Sequence, residues 1–437
     1  MTESPLRVLI IGAGIGGLAL GQALRAGGID VTIFERDRAP ADWLQGYRIA
    51  INPNGSRALH ACLPARNWEA FLATSVVSPA GITFRTEQLH ELMSLGPDEV
   101  TRGSSDPARG AYAVSRIVLR RVLLAGLDDV VRFGARFERY TSTTDGVIAH
   151  FADGSTARGD LLVGADGANS RVCAQYLPGA RRVYMSAGGL SGRLPLTAAT
   201  RCWLPDYLAQ GMCLVQPLTG RSMFLSAFPG RRNLVNALPD PRRAHVLIDI
   251  GLDPARVVDD LDDYVLWALL IPQRQIPLAA TAPTGRDHAL DLARGWDPAL
   301  QRVIAETDPN TVGAMRFRHS AIVEPWPPTS VTVLGDAVHN MPPVGGLGAN
   351  AAVTDAAELA DRLLAVRGRD GLTDAVARYE QRMREHGYAA MRAAIRNAER
   401  AVSTNVAARR AGRAWFRLCR AVPALKRRTF ASAGQPQ

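Results

Sequence analysis

Residues 6–36 read LRVLIIGAGIGGLALGQALRAGGIDVTIFER, and this stretch decides the fold of the chain. An apolar run comes first, followed by a glycine-rich turn, about three turns of helical pattern and a second apolar run. This order predicts a β-strand, an α-helix and a second strand parallel to the first. The stretch therefore indicates an α/β domain.

The glycines of this turn have the spacing of a dinucleotide-binding site. Gly12, Gly14 and Gly17 form G-x-G-x-x-G directly after the strand, which permits a tight turn, close approach of a pyrophosphate and close helix packing. The helix start has unpaired N–H groups and a partial positive charge that stabilise such an anion. Glu35 ends the second apolar run, where a carboxylate can accept both hydroxyl groups of an adenosine ribose. An acid at this position disfavours a 2′-phosphate.

Two later segments repeat the pattern of a strand followed by a turn. Residues 160–173, DLLVGADGANSRVC, predict a strand and a turn that presents Asp166. Residues 331–365, VTVLGDAVHNMPPVGGLGANAAVTDAAELADRLLA, predict a strand, a proline and glycine loop, and a helix from about Asn350. Asp336 comes at the carboxyl end of its strand, where open α/β sheets bind ligands, so its carboxylate can hold a hydroxyl group. The small residues of the loop leave room for a flat ring, and the helix start would stabilise negative charge on that ring.

The composition excludes several classes of protein. The chain has 437 residues, of which 47% are hydrophobic and 21% charged, as in an ordinary folded protein. The five cysteines include no C-x-x-C pair, which argues against a metal centre or a disulfide framework. The only lysine is Lys426, which excludes a Walker A loop, and the absence of H-E-x-x-H and G-x-S-x-G removes the commonest hydrolase classes. No apolar run is long enough to span a bilayer and no signal peptide is evident, so we expect a cytoplasmic protein.

The formal net charge of +10 does not point to nucleic acid. Residues 361–437 hold 17 basic and 6 acidic residues, so the rest of the chain is nearly neutral. No basic stripe with interleaved aromatic residues occurs outside this tail. We therefore expect no nucleic-acid partner.

In their order and spacing, GAGIGG with Glu35, GADGANSR and GDAVHNMPPVGGLGAN resemble the single-component FAD-dependent aromatic hydroxylases, the para-hydroxybenzoate hydroxylase superfamily. The last motif is most similar to that of tetracycline-inactivating monooxygenases. The resemblance implies an α/β fold in which a discontinuous Rossmann-like FAD domain accompanies a mixed-sheet substrate domain and C-terminal helices. It also implies FAD as a non-covalent cofactor. No second glycine fingerprint is present, so NAD(P)H is expected to dock transiently as a co-substrate.

Carried over position by position, the resemblance assigns the residues that would contact FAD. The glycines of the first turn match the pyrophosphate site, Glu35 matches the ribose acid and Asp336 matches the ribityl ligand. Arg36 would flank the adenosine, while Arg48 and Arg116 would reach the flavin. His339 is expected to order the loop beside the ring. The full set is Gly12, Gly14, Ile15, Gly16, Gly17, Glu35, Arg36, Arg48, Arg116, Asp166, Asp336, Pro343, Gly346, Gly348, Ala349 and Asn350.

From these motifs we expect segments of the FAD-binding domain and of the substrate domain to alternate along the chain. The FAD-binding parts are residues 1–75, 109–176 and 292–360, and the substrate-domain parts are residues 76–108 and 177–291. Residues 361–437 form a helical region. Within the second substrate part, residues 211–230 alternate apolar runs about a turn and predict a hairpin that would floor a substrate cavity. Its candidate wall residues, most of which are expected to be core, are Trp203, Met212, Leu214, Gln216, Met223 and Phe224.

The function implied by the resemblance is that of a monooxygenase. Reduced by NAD(P)H, FAD would react with O₂, and a flavin hydroperoxide would hydroxylate an apolar aromatic or polycyclic small molecule of the natural-product type. No catalytic base is evident, although the Pro343 backbone could polarise a substrate hydroxyl group. Alternatives are a flavin-dependent reductase of an isoprenoid or polyene and a non-catalytic flavin-binding module. A flavin halogenase resembles a family that needs an active-site lysine, and Lys426 lies in the tail.

The tail is predicted to be helical from Leu372 to about Val402, with a second helix after it. In that second helix Trp415, Leu418, Cys419 and Val422 fall at i, i+3, i+4 and i+7, whereas the arginines lie largely elsewhere. We expect the apolar stripe to pack against the body and the arginines to face solvent. Peripheral contact with a membrane is the alternative for such a basic amphipathic helix.

Overall fold

The structure is a computed structural model, which describes residues 6–39, 48–77, 81–96, 99, 105–277, 282–366 and 368–430. Its strands, in chain order, are β1 Arg7–Ile11, β2 Asp30–Phe34, β3 Arg48–Ile51, β4 Val76–Val77, β5 Ile82–Arg85, β6 Glu91–Leu95, β7 Tyr112–Ser115, β8 Val131–Arg132, β9 Phe137–Thr143, β10 Gly146–Phe151, β11 Thr156–Gly159, β12 Leu161–Gly164, β13 Arg182–Pro195, β14 Met212–Val215, β15 Ser222–Pro229, β16 Asp263–Pro272, β17 Gly313–Ser320 and β18 Val331–Val333. Its α-helices are α1 Ile15–Ala26, α2 Pro53–Cys62, α3 Ala65–Thr74, α4 Arg116–Leu124, α5 Arg171–Tyr176, α6 Ala198–Trp203, α7 Asp206–Gln210, α8 Gly230–Ala237, α9 Pro241–Asp249, α10 Pro254–Asp259, α11 Ala282–Leu292, α12 Pro298–Ala305, α13 Asp336–His339, α14 Gly348–Leu364, α15 Leu372–Val402, α16 Val406–Ala421 and α17 Pro423–Phe430.

A five-stranded parallel sheet has the order β18-β12-β1-β2-β8. β1 precedes α1 in the chain and β2 follows it. The two strands pair in parallel, as the opening stretch predicts. β12 and β18 join the same sheet in parallel, so the three strands that precede the quoted turns lie side by side. Because parallel strands share one carboxyl edge, their turns meet at that edge. The predicted α/β fold class is confirmed.

A seven-stranded mixed sheet has the order β17-β13-β16-β15-β14-β5-β6. β14 and β15 form the predicted antiparallel hairpin. β5 pairs in parallel with β14, so β5 and β6, which come much earlier in the chain, belong to this sheet. Two three-stranded sheets complete the described strands, β11-β10-β9 and β3-β7-β4.

Short helices interrupt the region in which the sequence indicates only apolar runs and turns. α8, α9 and α10 lie between β15 and β16. The side chains of Asp240 and Asp253 cap α9 and α10 by accepting backbone N–H groups, with proline at the first helical position. The Asp-Pro pairs are thus the local signal for these helices. A smaller difference concerns α14, which begins at Gly348 rather than at Asn350.

The long helix α15 spans the residues for which the sequence predicts a helix, and it packs against β18 of the parallel sheet. The hydroxyl group of Tyr379 donates to the Val333 carbonyl oxygen over 2.9 Å. The buried carboxylate of Glu380 accepts from the hydroxyl group of Thr332 over 2.8 Å. These bonds fix the helix against β18, just before the loop that carries Asp336.

The next helix is α16, whose apolar stripe is expected from the sequence to pack against the body, and this expectation is wrong for most of the stripe. Trp415, Leu418 and Val422 are 43%, 47% and 41% exposed, whereas Cys419 is buried. Arg413 instead points towards the body and donates through Nε to the Gln216 carbonyl oxygen over 2.8 Å. The apolar stripe therefore faces mainly outward. No helix in the described part of the chain is long and apolar enough to cross a membrane.

Candidate functional site

The glycine turn after β1 has two tightly packed glycines and one open one. Gly12 has φ = 110°, and a Cβ atom there would overlap the Ala165 carbonyl oxygen of the second turn. A Cβ atom on Gly17 would overlap the carbonyl oxygen of Gly12. Gly14 has no neighbouring atom within 4 Å of its Cβ position. The first and third glycines therefore permit the backbone to pack, and the second leaves space at the N-terminus of α1.

Ile15 and Gly16 occupy the first positions of α1, after Gly14 at the N-cap. No side chain caps this helix, so no side-chain oxygen competes for its first N–H groups. A Cβ atom on Gly16 would meet the Leu334 side chain at 2.7 Å, which places that glycine against the segment after β18. The helix start is thus available to an anion.

Glu35 directly follows β2, and its side chain is hydrogen-bonded to the glycine turn after β1. Its Oε2 atom accepts the Ala13 N–H group over 2.8 Å, and its Oε1 atom accepts the Asp37 N–H group over 3.1 Å. The guanidinium group of the buried Arg120 lies 3.8 Å from the same carboxylate and donates to the Ala13 carbonyl oxygen over 3.1 Å. Arg36, the next residue, is exposed at the rim. The role of Glu35 towards a ribose remains a prediction.

Asp166 lies in the turn after β12, opposite Gly12. Its Oδ2 atom accepts the Arg171 N–H group over 2.8 Å. Its Oδ1 atom is buried and accepts no hydrogen bond from the described residues. Burial raises the pKa of this carboxyl group. A buried acceptor without a donor is costly unless a ligand supplies one.

These segments enclose a cleft of about 350 Å³ at the carboxyl edge of the parallel sheet. Its walls are formed by residues of the turns after β1 and β12, of the end of β2 and of α4. The predicted residues among them are Gly12, Gly14, Glu35, Arg36, Arg116 and Asp166. A separate cleft of about 450 Å³ between α3, α8 and α9 contains none of the predicted residues.

Asp336 begins α13 after Gly335, whose φ is 61°. Asp336 is exposed, and desolvation by the protein around its carboxyl group raises its pKa. The carboxylate is therefore open to a ligand at the carboxyl edge of the sheet. Arg116 at the start of α4 faces it, and burial lowers the pKa of this arginine while Asp336 opposes that change.

The loop beyond Asp336 is tied to β3 by one buried amide. Asn350 donates to the carbonyl oxygens of Ala50 over 2.8 Å and Gly346 over 2.7 Å, and accepts the Asn52 N–H group over 2.9 Å. A Cβ atom on Gly346, whose φ is 66°, would lie 3.3 Å from the Ala50 side chain. The loop thus runs closely against β3. Its other predicted residues are the exposed Pro343 and the half-buried Gly348 and Ala349.

Asn350→Ala removes two donors and one acceptor at this junction. We expect FAD affinity to fall about 10-fold and the free energy of unfolding to fall by about 2 kcal/mol, because three backbone groups lose their partner. A flavin titration and urea unfolding measure the two effects. Asn310→Ala, at an exposed position, is the control. Unchanged FAD affinity in Asn350→Ala would contradict a role for this loop beside the cofactor.

Arg48 lies where β3 meets the large sheet. Its guanidinium carbon is 5.9 Å from the centroid of the Phe224 ring, and its backbone N–H group donates to the Tyr264 hydroxyl group over 2.9 Å. Burial lowers the pKa of Arg48 to about 10. The Nε atom is buried and has no hydrogen-bond partner among the described residues. A half-buried cation of this kind favours an anionic ligand.

Behind the Asp336 loop lies a buried chain of His339, Asp355 and His386. The carboxylate of Asp355 on α14 accepts from Nε2 of both histidines over 2.6 Å and from the Gly335 N–H group over 2.7 Å. Burial alone would lower the pKa of His339, but Asp355 outweighs it and raises that pKa. The two histidines in turn lower the pKa of Asp355 despite its burial. The contacts agree with the prediction that His339 orders the loop.

The sequence reasoning missed Arg120, Asp355 and His386. Arg120 follows Arg116 by four residues on one helix, and that spacing is the signal that could have found it. Asp355 is 16 residues from His339 and 31 from His386, so no local spacing links them. Of the predicted wall residues, Met223 is buried in the core, whereas Met212, Leu214 and Phe224 are half-buried.

Comparison with known proteins agrees with this geometry. A family model described as FAD binding domain matches residues 5–187 and 281–394. The chain is 32% identical over 381 residues to the dual O-methyltransferase/FAD-dependent monooxygenase elcB of Phaeosphaeria nodorum, which covers 81% of the chain and 40% of that relative. It is 28% identical to the aurachin C monooxygenase/isomerase of Stigmatella aurantiaca, over 86% of the chain and 85% of the relative.

A solved structure from Photorhabdus luminescens, described as an FAD-containing monooxygenase, superposes with a TM-score of 0.78 at 32% identity. The match covers 91% of the chain and 98% of that structure. The chain spans less than half the length of several curated relatives, including elcB. The glycine turn, the three converging segments and the extent of the family match together show that this chain belongs to the FAD binding domain family.

Proposed function

We propose that this chain is an FAD-dependent monooxygenase that consumes NAD(P)H and acts on an apolar aromatic or polycyclic small molecule. One atom of O₂ would enter the substrate, and the other would leave as water with the two electrons of NAD(P)H. The observation that supports this most is the convergence of the turns after β1 and β12, the end of β2 and α4 on one cleft, whose Arg116 faces the Asp336 carboxylate. The domain division given by the motifs remains part of this proposal.

The described residues fit FAD. Gly14 leaves open space at an uncapped helix start, where a pyrophosphate would bind. The buried Oδ1 atom of Asp166 has no hydrogen-bond donor among the described residues, and the exposed carboxylate of Asp336 would accept ribityl hydroxyl groups. Glu35 and Arg36 would lie at the adenosine end, and the loop from Pro343 to Asn350 would lie beside the ring. When bound, FAD would supply the electron transfer and the activation of O₂.

The chain itself would bind and orient the substrate and exclude water from it. Leu214 and Phe224 are directly paired on β14 and β15, so their side chains share one face of the large sheet. Arg48 at the start of β3 lies near Phe224, so this face of the sheet is turned towards β3. An apolar face here would keep water from the reacting atoms. This placement supports an apolar substrate.

Arg48→Met is expected to lower the two-electron midpoint potential of the bound flavin by about 30 mV. The reason is that a half-buried cation stabilises negative charge on a reduced ring, and 30 mV corresponds to about 1.4 kcal/mol. Potentiometric titration of the reconstituted protein measures it. Arg57→Met, on the exposed side of α2, is the matched control. An unchanged potential in Arg48→Met would place this guanidinium group away from the ring.

The proposed function is tested with purified protein reconstituted with FAD. We expect visible flavin absorbance, and O₂ uptake coupled to NAD(P)H oxidation that an aromatic substrate accelerates. The product should gain one oxygen atom. A product that gains two hydrogen atoms would instead indicate a reductase, and bound flavin without O₂ uptake under any substrate would indicate a non-catalytic module.

A further inference from the structure

The inner side of α16 is held to the body by arginines. Arg413 donates through Nε to the Gln216 carbonyl oxygen over 2.8 Å and forms an ion pair with Glu87. Arg409 donates to the Pro217 carbonyl oxygen over 2.8 Å. Arg413 therefore bonds to the segments that follow β14 and β5, and Arg409 bonds to the segment after β14 and to the carbonyl oxygens of Ala401 and Ser403 at the end of α15. Their long stems cover apolar surface on the way.

Aromatic stacking fixes the same side of the helix. The Phe416 ring stacks on Phe84 with centroids 4.6 Å apart, and Phe430 of α17 lies 6.4 Å from Phe416. Cys419 is fully buried beside Met93 of β6. These contacts and the arginine contacts lie on one side of α16, so the rotation of the helix about its axis is determined.

The opposite side of α16, here called the outer face, is apolar and exposed. Its three large residues are Trp415, Leu418 and Val422, each between 41% and 47% exposed. The small residues between them are alanines. Together the outer face consists of Ala407, Ala411, Ala414, Trp415, Leu418 and Val422, all of them exposed. No charged residue interrupts it.

Positive charge borders the outer face. Arg410 and Arg417 are exposed along one edge, and neither forms an ion pair with a described residue. Arg427 and Arg428 are exposed on the following helix. The sequence contains no acidic residue after Glu399. The surroundings of the outer face therefore attract anions and repel other cations.

We propose that the outer face of α16 docks on an anionic lipid surface. A helix that lies in the membrane interface needs one continuous apolar side, basic residues beside it and, commonly, a tryptophan at the headgroup level. The outer face has all three features. The charge favours anionic lipid over a second copy of the chain, because two copies would bring their arginine borders together.

Co-sedimentation with vesicles tests this proposal on the full chain. Vesicles of equimolar phosphatidylglycerol and phosphatidylcholine are compared with vesicles of phosphatidylcholine alone. We expect the protein to pellet with the anionic vesicles, and high salt to release it, because exposed charges are screened. The double variant W415S/L418S should partition about 10-fold more weakly, because two apolar side chains no longer enter the interface.

Ile248→Ser is the matched control, because Ile248 is 56% exposed on α9, away from the outer face. It should pellet as the unaltered protein does. Flavin absorbance of each variant after reconstitution shows that it is folded. Equal pelleting of W415S/L418S and unaltered protein, or no pelleting of either, would overturn the proposal. So would a dimer, seen by sedimentation velocity, that W415S/L418S abolishes.

Discussion

Gly14→Val is expected to leave the chain folded while weakening its binding of FAD by about 100-fold. The Cβ position of Gly14 has no atom within 4 Å, and its φ of −77° suits any residue. A Cβ atom here therefore meets no atom of the described residues, and it enters the cleft in front of α1. The stability cost should be about 1 kcal/mol, as for an altered helix cap. Flavin titration and thermal unfolding separate the two effects.

Gly17→Val is the matched comparison on the same turn. Its Cβ atom would overlap the Gly12 carbonyl oxygen, so the strand and helix would have to separate. We expect this variant to lose stability by several kcal/mol and to lose FAD with it. FAD binding by Gly14→Val at unaltered affinity would show that the open space of the turn is not where the cofactor binds.

Among conservative substitutions of His339, Asp355 and His386, Asp355→Asn should be the most destabilising. The carboxylate is fully buried and accepts from two histidines and one backbone N–H group. Loss of its charge removes the hydrogen-bonded counter-ion of the buried His339, which costs about 3 to 5 kcal/mol. Urea unfolding near pH 6 measures the loss. His386→Asn, which removes only the more exposed partner, should cost less.

The effect of Asp355→Asn should depend on pH. The pKa of His339 is raised in the folded protein, so its contribution is complete below its ordinary value of 6.5 and is lost as pH rises through the folded value. The pKa of Asp355 is lowered, so its contribution is complete above its ordinary value of 3.8 and is lost as pH falls through the folded value.

The stability difference between unaltered protein and Asp355→Asn should therefore be largest between about pH 4 and pH 6.5 and should shrink in alkali. Asp336 also faces His339 and raises its pKa, so Asp336→Asn should move the alkaline limb to lower pH. Unfolding curves across this range measure both effects. A difference that stays constant from pH 5 to pH 10 would show that the pair is not ionic.

The sequence alone predicts the parallel sheet and much of the candidate site. Strand, turn and helix follow one another locally in residues 6–36, and the glycine spacing reflects backbone geometry that side chains would block. The three segments with glycine turns could be placed at one edge because parallel strands share their carboxyl ends. Local order and one topological rule were therefore enough.

Contacts between distant segments needed the tertiary structure. The buried links from Asn350 to Ala50 and from Asp355 to His386 join residues on separate elements, and no spacing in the sequence encodes them. A periodic pattern shows that a helix such as α16 has two unlike sides, but not which side meets the body. Arg409 and Arg413 could turn inward because carbonyl oxygens and Glu87 accept their hydrogen bonds, which left Trp415 and Leu418 outside.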